Sequence, residues 1–215
     1  MLFTRSERTA TLLPDDETYA SAYEALPDWR RRKCAAFRFD ADRRRSVAVW
    51  LLLRRMLAER GVDADSLPVT ENEFGKPTFA SAQGLCFSLS HAGERVMAAV
   101  SDTEVGCDVE RIVPIDDGML SVSLTVAERE RLAALSGSAR DRAFMRLWVR
   151  KESYAKAVGR GLDIGLQEFS ALDVPPLPGW AWQDFDFGDG HLGCVCTMVR
   201  SRFAGCSGLS GRRPS

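Results

Sequence analysis

Histidine is scarce in this chain: His91 and His191 are the only two among 215 residues. The one grouping that suggests zinc is His191 with Cys194 and Cys196. It lies in "HLGCVCTMV", which alternates like a strand and has no fourth ligand, so a structural zinc is not expected. Long apolar runs are also missing. Nothing approaches the ~20 residues needed to cross a bilayer, and the opening "MLFTRSERTATLLPDDE" has no apolar core of a secretory leader. A cytoplasmic location without a membrane partner is the expectation. Charge of one sign is lacking too, because 29 Lys and Arg stand against 30 Asp and Glu. That balance gives no general attraction to nucleic acid, so any anion site must come from local clustering. The six cysteines lie among apolar neighbours or near the end of the sequence (Cys206), without a disulfide framework, and reduced thiols are expected. Finally, no Walker-type or dinucleotide-binding glycine loop occurs, which removes support for P-loop and Rossmann nucleotide chemistry.

What is present is an ordinary globular composition, 45% hydrophobic and 27% charged. "DADRRRSVAVWLLLRRMLAE" (40–59) opens on acidic residues and runs up to Gly61, which predicts a helix with a broad apolar stripe. "PDWRRRKCAAFR" predicts a shorter basic helix before it. Strands are predicted at "LPVTENEF" (67–74), "GLCFSLS" (84–90), "RVMAAVS" (95–101) and "EVGCDVERI" (104–112), separated by turn residues. The order then repeats, with helices at "TVAERERLAAL" (125–135) and "ARDRAFMRLWVRKESYAKAVG" (139–159). Strands follow at "EFSALDV" (168–174), "WAWQDFDF" (180–187) and "GHLGCVCTMV" (190–199). The fold class is therefore α+β, as two similar lobes over 1–104 and 105–200, followed by a small, polar, flexible tail at 201–215.

In "VGCDVERI", Val105, Cys107 and Val109 take one strand face while Gly106, Asp108 and Glu110 take the other. Two adjacent carboxylates repel unless solvent or a cation separates them. Gly106 is expected to leave room for a bulky ligand on that face. Glu152 and Lys156 stand four apart on one helix face, beside an apolar stripe of Phe144, Leu147, Trp148 and Ala155. Alone, one pair reads as a surface ion pair and the other as a solvated sheet edge. Together, three carboxylates can supply hard oxygen ligands for magnesium, which calls for a di- or polyphosphate substrate, with Lys156 neutralising charge that develops during transfer. Lys76 sits on the Gly-Pro turn of "FGKP". Ser90 and His91, at a strand end, can donate to phosphate oxygens, although turn chemistry accounts equally well for Ser90. The clusters Arg30 to Lys33 and Arg43 to Arg45 read as a solvated helix face or as part of a pocket for a terminal phosphate.

The ordered set "FGKP", "FSLSHAG", "VGCDVERI" and "LWVRKESYAKAVGRGL" resembles the 4'-phosphopantetheinyl transferases of the broad-specificity, surfactin-activating (Sfp-like) type, over most of the chain. The resemblance implies transfer of the phosphopantetheine arm of coenzyme A to a serine of a peptidyl, polyketide or fatty-acid carrier protein, with release of adenosine 3',5'-bisphosphate. It also implies two lobes related by a pseudo-twofold axis, with the active site between them. Position by position it makes Asp108, Glu110 and Glu152 ligands of magnesium, or manganese. Glu152 gains a second, competing role as acceptor of the serine proton, because coordination lowers carboxylate basicity. Lys156 is placed at the departing bisphosphate and His91 and Ser90 at coenzyme A phosphate. Arg30, Lys33, Arg45, Ser46, Lys76 and Pro77 fall around the nucleotide end, and Lys151 near the pyrophosphate. An acidic, helical carrier and a monomeric enzyme are implied as well. Cys107 and Val149 depart from the usual pattern without removing a ligand. Two other readings remain: a magnesium-dependent nuclease, in which Glu and Lys more often stand two apart on a strand, and a carrier-binding module without catalysis, against which three intact acidic residues speak.

Overall fold

Two long helices, each laid on a small antiparallel sheet, organise the residues that the computed structural model describes, 1–80, 84–172 and 177–199. The expected flexible tail, 201–215, lies outside the described residues, as do 173 and 174 of the predicted strand at 168–174. The first half runs β1 (Leu2–Arg8), α1 (Thr9–Leu12), α2 (Asp16–Glu24), α3 (Asp28–Ala35), α4 (Asp40–Ala58), the short hairpin β2 (Val69–Glu71) and β3 (Pro77–Phe79), then β4 (Cys86–Ala92) and β5 (Arg95–Ser101). The second half runs β6 (Val105–Arg111), α5 (Asp117–Ser123), α6 (Val126–Ala133), α7 (Gly137–Val158), β7 (Trp180–Asp186) and β8 (His191–Met198). The architecture is mixed α+β. One three-stranded sheet has the order β1-β5-β4 and the other β6-β8-β7, with all neighbours antiparallel.

Helix α4 forms because its apolar residues are arranged to be buried and its first turn carries Asp40 and Asp42, which favour the helix N-terminus. Val47, Val49, Trp50, Leu53 and Leu57 are buried in the core of the first half with Phe79 and Phe87. Rings interlock there, Phe79 and Phe87 at 4.5 Å between centroids and Trp29 and Trp50 edge-on at 5.3 Å. Helix α7 ends at Gly159, whose φ of 78° is the left-handed conformation that stops a helix.

The sheets meet along their edge strands, β4 and β6. Rather than forming a backbone ladder, serine hydroxyls of β4 take the open amides of β6: Cys107 N donates to Ser88 Oγ at 2.9 Å and Val109 N to Ser90 Oγ at 3.2 Å. Cys107 is fully buried and packs with Met97, Ala99, Val105, Val109 and Val195, as its apolar face anticipates.

Several sequence expectations need revision. Gly106 does not leave space for a ligand. A Cβ there would lie 2.0 Å from the Ser153 carbonyl oxygen and 2.3 Å from the Ala157 amide nitrogen, so the room is filled by the backbone of α7. The strand predicted at 168–174 is absent over its described part. Leu166–Glu168 form a 3-10 turn, and the carbonyls of Leu166 and Phe169 accept from the Lys151 ammonium rather than from a strand partner. The strand at 67–74 shortens to Val69–Glu71 because the Asn72 side chain accepts from the amides of Phe74 and Lys76 and turns the chain. Strand β1 had no strand prediction. Its residues are mostly half-buried, and its partner β5 lies far along the chain.

Gly106→Ala is expected to destabilise the protein by about 1–3 kcal/mol or more, since the three atoms nearest the new methyl group are all backbone. Urea unfolding of the variant against wild type measures this.

Candidate active site

The close approach of α7 to β6 brings four charged side chains to one place. Lys156 Nζ lies 2.6 Å from Asp108 Oδ1. Ser90 Oγ donates to the same carboxylate oxygen at 2.8 Å and accepts from Lys156 Nζ at 3.1 Å. The other oxygen, Asp108 Oδ2, is buried with no partner. Glu110 and Glu152 complete the group. Burial pushes the Glu110 carboxyl up to about 7, with the charge of Asp108 adding to the effect, Lys156 opposing it and Glu152 adding again. Burial, then Asp108, also raises Glu152, against Lys156. For Lys156 burial works against the ammonium, but the Asp108 carboxylate prevails and its pKa is raised. One ammonium thus stands among three carboxylates, too little positive charge to ionise all of them comfortably.

Beside this group opens a cleft of about 290 Å³ between the two halves. Arg30, Lys33, Ser46, Lys76, Pro77, His91 and Lys156 all line it. Arg30 is buried, donates to the Ser46 carbonyl at 3.0 Å and leaves its Nε without a partner. The Ser46 hydroxyl accepts from the Cys34 thiol at 3.2 Å. Lys33 reaches Glu71 at 3.4 Å and is partly exposed. Lys76 lines the cleft, although its ammonium is engaged by Glu104 at 2.5 Å and the Ala157 carbonyl at 2.7 Å. His91 packs edge-on against Phe37. Burial, followed by the positive charges of Arg30, Arg45 and Lys156, lowers it to about 4, so it is neutral near pH 7. Cationic and neutral donors in a half-closed cleft suit a phosphorylated ligand.

Ser90, expected at a coenzyme A phosphate, does not line the cleft and gives its one hydroxyl proton to Asp108, and two other expected residues lie elsewhere. Arg45 lines a separate hollow with Thr9, Leu13 and Arg44 and is held by the Gly93 carbonyl and Asp42. Its charge still reaches His91. Lys151 faces away from the cluster: it is fully buried, pairs with buried Glu128 at 2.8 Å, and donates to the Leu166 and Phe169 carbonyls. Adjacent positions on a helix point about 100° apart, so proximity to Glu152 in sequence did not carry Lys151 to the same face. Sequence reasoning missed Glu128. Its signal was readable, because Thr125 and Glu128 form a capping box.

Whether the carboxylates suit a cation can be judged from their chemistry. Among the described residues no group of three or more His, Cys, Asp or Glu side chains is placed so that it could hold a metal ion, Asp108, Glu110 and Glu152 included. The partnerless Asp108 Oδ2 and the elevation of Glu110 and of Glu152, each by burial and then by Asp108, nevertheless mark a site short of positive charge, and its donors are hard oxygens. In donor chemistry, though not in their present placement, these residues fit a divalent ion of the magnesium class.

The chain has relatives among known proteins. A family model described as the 4'-phosphopantetheinyl transferase superfamily matches residues 104–191, and one described as 4'-phosphopantetheinyl transferase, N-terminal, matches 11–103. The chain is 32% identical to the 4'-phosphopantetheinyl transferase psf-1 of Bacillus pumilus over 162 residues, 73% of this chain and 70% of that one. It is 28% identical to a 4'-phosphopantetheinyl transferase of Bacillus subtilis over 77% of this chain and 72% of the relative. It is also 28% identical to the 4'-phosphopantetheinyl transferase Sfp of Bacillus subtilis strain 168, over 66% of this chain and 63% of the relative.

Lys151→Met leaves the buried Glu128 uncompensated and is expected to cost about 3–5 kcal/mol of stability in chemical denaturation; wild-type stability would mean that the pair is not structural. A raised carboxyl holds its proton more tightly folded than unfolded, so the stability it contributes is present below the ordinary glutamate value of 4.5 and lost as pH rises through about 7. Because His91, lowered by burial, contributes with the opposite sign below 6.5, the test is a difference: the melting temperature of the metal-free wild type relative to Glu110→Gln is expected to fall between about pH 5 and pH 7.

Proposed function

The chain belongs to the 4'-phosphopantetheinyl transferase superfamily and is a transferase of its Sfp-like kind, and from that premise we propose how it works. Its cleft takes coenzyme A and passes the phosphopantetheine arm to a serine of a carrier protein. The observation that carries this reading is the meeting of Asp108, Glu110, Glu152 and Lys156 at a cleft walled by Arg30, Lys33 and His91.

The carrier serine oxygen forms a new bond to the phosphorus bearing the pantetheine arm, and the bond from that phosphorus to the oxygen of adenosine 3',5'-bisphosphate breaks. Arg30 and Lys33 hold phosphate at the nucleotide end, with Ser46, Lys76 and Pro77 shaping the wall. His91, neutral at working pH, donates an N–H to a phosphate oxygen, and Ser90 holds Asp108 in place. Lys156 balances charge on the leaving bisphosphate. Asp108, Glu110 and Glu152 would hold a magnesium ion, or manganese, which when bound neutralises diphosphate oxygens. Glu152, raised by burial and by Asp108, is suited to accept the serine proton when it is not itself a ligand.

The shared strand order of the two sheets supports a pseudo-twofold relation between lobes at 1–104 and 105–200, and the matched regions change over between 103 and 104. One chain then supplies both walls of the cleft, which favours a monomer. The expected partner is an acidic, helical carrier in the cytoplasm. Among the described residues no helix is long and apolar enough to cross a membrane. No feature of the cleft favours a nuclease.

Asp108→Asn keeps the shape of the side chain and removes its charge. It is expected to lower transfer by about a hundredfold or more while the protein stays folded. The measurement is the mass of an apo-carrier incubated with coenzyme A and magnesium, and undiminished loading would overturn the assignment. A panel of peptidyl, polyketide and fatty-acid carriers in the same assay identifies the preferred substrate.

A further inference from the structure

The β2–β3 hairpin belongs to the first half, yet its turn sits on the end of α7. The Asn72 side-chain amide donates to the Gly159 carbonyl at 2.8 Å, across 87 positions of sequence. Its oxygen faces the other way and accepts from the amides of Phe74 at 3.0 Å and Lys76 at 2.9 Å, closing the turn. Lys76 adds a second tie, from its ammonium to the Ala157 carbonyl at 2.7 Å. The fit is tight: a Cβ on Gly159 would lie 2.8 Å from Lys76 Cδ and 2.9 Å from Asn72 Nδ2.

The last carbonyls of a helix have no donors within the helix, and a cation is favoured there by the helix dipole. Here both needs are met from the opposite half of the molecule. We propose that Asn72 is a positioning residue, which clamps the C-terminal end of α7 to the first half and so fixes where Glu152 and Lys156 stand relative to Asp108 and Glu110. Asn72 touches none of these four side chains. It acts through α7, whose Lys156 lies three residues before the clamped carbonyl. The packing at Gly106 sets how near α7 comes to β6; the Asn72 clamp holds its far end against rotation or fraying. The catalytic part of this inference rests on the transferase reading above, whereas the clamp itself does not.

The two ends of the Asn72 amide allow a clean test. Asn72→Asp retains an oxygen acceptor for the turn and replaces the donor to Gly159 with a second oxygen, which repels the carbonyl. With coenzyme A and a carrier that wild type loads, kcat is expected to fall about tenfold while KM for coenzyme A stays within about twofold. Hydrogen exchange read by mass spectrometry should accelerate about tenfold in the last turn of α7 with the β2–β3 hairpin unchanged. Asn72→Ala, which loses both functions, should loosen the hairpin as well. Wild-type kcat with wild-type exchange in the Asp variant would overturn the proposal, and so would exchange that accelerates evenly throughout the chain. Should wild type load no carrier, the transferase reading fails, and exchange at the end of α7 still decides whether the clamp exists.

Discussion

Helix α7 can lie against strand β6 as closely as it does only because position 106 carries no side chain. Backbone atoms of Ser153 and Ala157 occupy the volume that any Cβ would need, so the separation of helix and strand is set by main-chain contact and has no slack. Everything chemical about the cleft follows from that separation. Asp108 and Glu110 project from the same strand face as Gly106, and Glu152 and Lys156 project from the helix that covers it. With a larger residue at 106 the carboxylates and the ammonium would be pushed apart, and an ion pair of 2.6 Å between Asp108 and Lys156 would not form.

The same closeness creates an electrostatic imbalance. Three carboxylates share one ammonium, and removal from water penalises each charge before the neighbours are considered. Glu110 responds by binding its proton near neutrality, and Asp108 leaves one oxygen buried without a partner. A protein selected for stability alone would have no reason to keep such a group. On the proposed reading, in which a cation arrives with a diphosphate, the deficit in the free protein is the attraction that the ligand would satisfy. Ser90 joins this group to the rest of the molecule. Through one hydroxyl it accepts from the Val109 amide, accepts from Lys156 and donates to Asp108, so the first sheet helps to orient an acidic residue of the second.

Reading the sequence located these four side chains because each lies in a strongly periodic segment. Alternation in "VGCDVERI" put Asp108 and Glu110 on one face, and helical spacing put Glu152 and Lys156 on another. It erred where a local pattern had two solutions. Gly106 was read as open space when it was a contact, since a glycine in a strand signals either a ligand or a close backbone approach. Lys151 shares the motif with Glu152 but turns to Glu128, and nothing in its own neighbourhood announces a partner 23 positions earlier. The segment at 168–174 had strand-like residues, but in its described part the Phe169 carbonyl is taken by that same lysine, and the Ala171 amide and carbonyl by Glu128 and Arg150.

By itself, then, the sequence determined the α+β order of the main elements, the two long helices, the paired carboxylates and the resemblance to a transferase family, because these depend on periodicity and on local residue chemistry. Tertiary structure alone decided the pairing of β1 with β5, the serine seam between β4 and β6, the burial of Lys151 with Glu128, and the clamp of Asn72 on the end of α7. Each of these joins groups far apart in the chain, and which distant donor meets which acceptor depends on how the halves pack, a property that no window of neighbouring residues contains.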